Sequence, residues 1–142
     1  MWNTKELDEE DRLGDAGTEL KDGQSQSLIR LHPTRRCHTQ LEFKRQGKTL
    51  AEERMGSVLH EMLYVFLTQY ACQHCLTREN WASHGRAWQR IAKKIEEQSL
   101  GLLGIEADMG RLTSFLVDWE EDDGLRVSLC DVEACGFWER LG

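Results

Sequence analysis

A single proline, Pro33, stands among 142 residues beside twelve glycines, so the composition matches neither a collagen nor a wholly disordered chain. A long apolar run is also missing. The longest, Val58 to Leu67, is broken by His60 and Glu61 and falls short of the roughly 20 residues a membrane-spanning helix needs. The start, Met1-Trp2-Asn3-Thr4-Lys5, turns acidic at once and has neither the apolar core of a signal peptide nor the Arg-rich character of a transit peptide. An intracellular protein, nuclear or cytoplasmic, is expected. Five cysteines (Cys37, Cys72, Cys75, Cys130, Cys135), an odd number at irregular spacings, argue against a secreted disulfide scaffold and for free thiols or metal ligands. With 39% hydrophobic and 30% charged residues, what remains is a chain able to form one modest core.

Charge divides that chain. The formal total is −7, yet residues 1–27 hold three basic and eight acidic groups, residues 118–142 two and eight, and the stretch between them thirteen and nine. This predicts an acidic flexible tail over 1–27, a domain over 28–117 and an acidic extension over 118–142. A middle charge of +4 is too small to establish nucleic-acid binding, and Arg35, Arg36, Lys44, Arg45 and Lys48 suit a solvated loop better than a phosphate site.

Within the middle, Leu28 to Leu31 reads as a short strand closed by His32-Pro33, and Thr39 to Phe43 as a second strand or a loop edge. Thr49, with Glu52 three residues on, has the capping-box pattern and predicts a helix from Leu50 to Tyr70, apolar on most of its circumference and so covered on several sides. A second helix is expected from near Ser83 to Gln98, with Trp88, Ile91 and Ile95 inward and Arg86, Arg90, Lys93 and Lys94 outward. Leu112 to Trp119 suits helix or strand, Leu125 to Leu129 alternates like a strand, and Asp118 to Asp123 reads as a surface turn without the ligand alternation of a calcium loop. Trp81 and Trp88 are taken as core anchors.

The chemistry concentrates in Met55-Gly56-Ser57-Val58-Leu59-His60-Glu61-Met62-Leu63-Tyr64 and in Ser83-His84-Gly85-Arg86-Ala87-Trp88. In a zinc-peptidase helix, two His four residues apart share one face and bind the metal while the Glu after the first takes a proton from water. Here Tyr64 holds the place of the second His. Between the two segments, Cys72-Gln73-His74-Cys75 can supply half a structural zinc site or simply two loop thiols.

These two segments resemble the SprT-like zinc metallopeptidase domain, related to the Spartan proteases that degrade proteins crosslinked to DNA, and are most similar to fungal members of that family. The resemblance runs from about Ile29 to Ile95. It implies an α+β, zincin-like fold with the motif helix and a following helix on a short sheet, shortened on the N-terminal side because only residues 28–48 precede the motif helix. It further implies Zn2+ held by His60 and His84, with Glu61 as general base and a protein substrate or partner, DNA-associated in the family, without membrane or small-molecule cofactor. Tyr64 in the second ligand position implies impaired activity, since a phenol with a reference pKa of about 10 must lose its proton to bind metal well. Two rival expectations stand beside this one: a catalytically inactive SprT-like binding module, and a small structural or regulatory protein whose Cys72, His74 and Cys75 hold zinc.

Overall fold

A computed structural model describes residues 14–32, 49–72, 84–121 and 129–138. Its described elements are two strands, β1 (Gly14–Lys21) and β2 (Gln24–Leu31), and four helices, α1 (Leu50–Tyr70), α2 (Arg86–Leu103), α3 (Arg111–Glu121) and α4 (Leu129–Cys135). The architecture is mixed α and β, in agreement with an α+β class at that level. No helix is long and apolar enough to cross a membrane among the described residues.

β1 and β2 form an antiparallel hairpin with Gly14 opposite Leu31 and Lys21 opposite Gln24. Its two-residue turn is Asp22-Gly23, both at positive φ (52° and 76°), the left-handed pair that matches the twist of the flanking strands. Asp15 and Arg30 face each other across the ladder, and the guanidinium Nε donates to Asp15 Oδ1 at 2.8 Å. The hairpin lies on α1, and Gln69 near the end of that helix donates to Ser27 of β2. The tail expected over 1–27 is therefore corrected from Gly14 onward. Its apolar content is low because most of the hairpin is exposed, and cross-strand pairing orders it without a deep apolar face. The expected strand Leu28 to Leu31 is the second half of β2, which ends before His32-Pro33. Thr39 to Phe43 lies outside the described residues.

α1 begins as its sequence predicts. Thr49 Oγ1 accepts the Glu52 N–H, and the Glu52 carboxylate accepts the Thr49 N–H at 2.6 Å. Its covering is narrower than expected: Gly56, Leu63 and Leu67 are buried, while Met55, Met62, Phe66 and Tyr70 are exposed. α2 starts at Arg86, later than expected, and continues past Gln98 to Leu103, where Gly104 at φ 70° caps it in the left-handed conformation. Its buried stripe is Trp88, Gln89, Ala92 and Ser99. Ile91, expected inward, is exposed.

Leu112 to Trp119 is helical, inside α3. This helix runs through the boundary expected between 117 and 118, and Asp118, assigned to a surface turn, is buried. Of the strand expected over Leu125 to Leu129, only Leu129 is described, and it opens α4. Two apolar clusters result. One joins Leu63 and Leu67 of α1 to Trp88 and Ala92 of α2 and to Met109, and the other joins Leu112 and Phe115 of α3 to Val132 and Cys135 of α4 and to Phe137.

Candidate metal centre

His60 lies midway along α1, and His84 lies two residues before α2, so packing of these helices through Leu63, Leu67 and Trp88 decides whether they meet. They do. The His60 Nε2 and the His84 Nε2 are 2.9 Å apart, and the ring centroids are 4.7 Å apart. Trp88, one turn beyond His84, is buried and stands edge-on to both imidazoles, at 4.8 Å from His60 and 4.9 Å from His84. Its apolar surface forms one wall of the pair.

The far nitrogens of both rings are engaged. His60 Nδ1 lies 2.8 Å from the Met109 carbonyl oxygen, which can only accept, so this nitrogen carries the hydrogen. His84 Nδ1 lies 3.2 Å from Asp118 Oδ1, while the His84 backbone N–H donates to Asp118 Oδ2 at 3.0 Å. A carboxylate also accepts, so His84 Nδ1 donates as well. Each neutral imidazole then has its lone pair on Nε2, and the two lone pairs point at each other. That arrangement is repulsive unless a proton lies between them, or the rings part to admit a metal ion. Burial and the neighbouring His84 push His60 down from 6.5 to about 4 against the opposing pull of the Met109 carbonyl and Asp118, so His60 is neutral near pH 7, the form that ligates metal.

The Met109 carbonyl is held in place from several directions. Glu96 Oε1 accepts the Met109 N–H at 2.9 Å, Ser99 Oγ accepts the Ala107 N–H at 3.0 Å, and Asp108 Oδ1 accepts the Gly110 N–H at 3.0 Å. The loop also lies directly on α1 at Gly56, where a Cβ would stand 2.0 Å from the Asp108 carbonyl oxygen. Gly56 is one turn before His60, and only a residue without a side chain admits the loop at that distance.

Glu61 is half-buried and faces the hairpin, since a Cβ on Gly14 would come within 3.6 Å of its Cγ. Tyr64 is half-buried one turn beyond His60, at the (i, i+4) position that shares a helix face with it. Among the described residues, no three His, Cys, Asp or Glu side chains are grouped to hold a metal ion. Cys72 is exposed, whereas His74 and Cys75 lie outside the described residues, as do Cys37, Trp81 and the basic residues from Arg35 to Lys48.

Sequence reasoning missed Asp118 and Met109. Met109 acts through its backbone, which no side-chain motif can flag. Asp118 had a signal in the helical spacing of Leu112, Phe115, Leu116 and Trp119, which places Asp118 on one helix with them. Comparison with protein-family models, curated proteins and solved structures finds no match for this chain.

Proposed function

We propose that this chain is a SprT-like, zincin-type metallopeptidase domain that holds one divalent cation, most suitably Zn2+, between His60 and His84. The observation that carries this reading is the pair of Nε2 atoms facing each other at 2.9 Å with both Nδ1 atoms committed to acceptors. Metal-ligating histidines characteristically donate their other ring nitrogen to a carbonyl or carboxylate, which fixes both tautomer and ring angle. Imidazoles from two adjacent elements are donors zinc takes, and the 2.9 Å between their Nε2 atoms would widen by a few tenths of an ångström to give each a Zn–N distance of about 2.0–2.1 Å, with the Tyr64 phenol proposed as a weaker oxygen donor.

When bound, zinc supplies Lewis acidity that polarises a peptide carbonyl and makes water easier to deprotonate. Glu61, adjacent to His60 on α1 and facing the hairpin, is the side chain that carries the proton between water and the leaving amine. The substrate on this reading is protein, DNA-associated as in the family. Zinc stoichiometry on the purified chain, with His60→Ala and His84→Ala beside it, is the test. One zinc per chain, lost in both variants, is expected, and no zinc in the native chain removes the reading. Given bound zinc, Glu61→Gln should abolish any peptide cleavage with zinc content nearly unchanged.

A second reading, a non-catalytic SprT-like binding module, is favoured by Tyr64 itself and by the exposed Met55, Met62, Phe66 and Tyr70 along α1. Zinc bound without cleavage of any unfolded or DNA-bound protein selects it.

A further inference from the structure

We infer that Asp118 is a positioning residue that holds His84 in the tautomer able to ligate metal. The inference rests on the metal reading above and adds to it a residue 34 positions away in sequence and on a different helix. Asp118 is buried, with 4% of its surface exposed, and receives two hydrogen bonds from one residue, the backbone N–H and the Nδ1–H of His84. A buried carboxylate without compensation is costly. Here the compensation comes from a single residue, the one whose imidazole faces His60.

The consequence follows from donor and acceptor types. A carboxylate has only acceptors, so it keeps the hydrogen on His84 Nδ1 and leaves Nε2 with a free lone pair. An amide of the same shape has one acceptor and one donor. In Asp118→Asn the amide oxygen keeps the His84 backbone N–H, and the amide NH2 then faces His84 Nδ1. That nitrogen must become the acceptor, which moves the hydrogen to Nε2. The His84 Nε2–H can then donate to the His60 Nε2 lone pair across the 2.9 Å gap. The variant thus relieves the lone-pair repulsion in the metal-free chain while removing a metal ligand.

A purely structural Asp118, acting only as the acceptor for the His84 backbone N–H just before α2, predicts something else: the variant would lose stability in proportion to whatever else it loses. The tautomer role predicts a split. Metal-free Asp118→Asn should unfold in urea at a midpoint equal to or above that of the native chain, while its zinc affinity falls by at least about tenfold, the scale on which outer partners of metal ligands act. Nitrogen-15 spectra of the metal-free proteins read the cause directly: His84 should carry hydrogen on Nδ1 in the native chain and on Nε2 in Asp118→Asn. Asp118→Glu, which keeps a carboxylate, should keep the native tautomer.

Equal zinc affinity in native chain and Asp118→Asn, or a His84 tautomer that does not change between them, overturns the inference and leaves the metal reading standing. A native chain that takes up no zinc overturns the metal reading itself. The native spectrum needs no variant, and hydrogen on Nε2 of His84 there overturns the inference even where Asp118→Asn fails to fold.

Discussion

His60 binds a proton poorly, which gives the metal-free protein a defined acid sensitivity. The folded chain protonates His60 only near pH 4, whereas an unfolded chain does so near 6.5. Between those values the unfolded state binds more protons, so stability from this group is complete above about pH 6.5 and lost as the pH falls toward 4. The loss is on the order of 3 kcal/mol. Urea midpoints at pH 7 and pH 4.5 should therefore differ more for the native chain than for His60→Gln. At Tyr64 the expected change is a gain: Tyr64→His replaces a phenol that must first be deprotonated with a neutral imidazole and should raise zinc affinity about tenfold, or about 1.4 kcal/mol, by calorimetric titration. His60, Glu61, Tyr64 and His84 could all be singled out from sequence because each sits in a short pattern whose chemistry is local. Asp118 could not. Its role appears only when α3 crosses the start of α2, and in sequence it merges with the acidic run that follows it.

Among the elements, α1 was legible to the residue, since a capping box is a chain-local device and Thr49 and Glu52 make both of its hydrogen bonds. Thr49→Ala should cost about 1 kcal/mol in thermal or urea unfolding. The hairpin was misread for a physical reason. An acidic, apolar-poor composition predicts disorder when burial is the only stabilising term considered, yet Asp22-Gly23 is the strongest short-range hairpin signal and stands between the two strands. The Gly56 contact is the tightest approach of the loop to α1. Gly56→Ala would force the Asp108 carbonyl away, at a cost of about 1–3 kcal/mol, despite the better helix propensity of alanine. Because Met109 follows Asp108, the same variant should weaken the His60 Nδ1 hydrogen bond, visible as a change in the His60 nitrogen-15 shifts.

For the molecule as a whole, the two apolar clusters meet across a polar seam. Gln89 donates to the Arg111 carbonyl at 3.1 Å, and the buried Arg111 guanidinium reaches Glu96 Oε2 at 3.3 Å and the Cys135 carbonyl, while also standing 5.0 Å over the Phe137 ring. Burial raises the Glu96 carboxyl above its ordinary range against the opposing effects of the Met109 N–H and Arg111, so its partners matter. Arg111→Ala leaves Glu96 and the Cys135 carbonyl without that partner and should cost about 3–5 kcal/mol in urea unfolding.

The same seam is crossed a second time where Arg86 of α2 donates to both carboxylate oxygens of Asp131 of α4 at 2.6 and 3.0 Å, so one half opens without the other only when this pair and the Arg111 links are broken. In the metal-free protein, native-state hydrogen exchange should find the α3–α4 half opening at a lower free energy than the α1–α2 half, and calorimetric and van't Hoff enthalpies should disagree. His60 and His84 belong to one half, but the carboxylate that orients His84 belongs to the other. A cation gripped by both imidazoles would then be felt in both halves, since opening α3 releases the ligand geometry. Saturating zinc should merge the two openings into a single cooperative transition, so that the ion acts as a rivet through two plates rather than as a weight added to one of them.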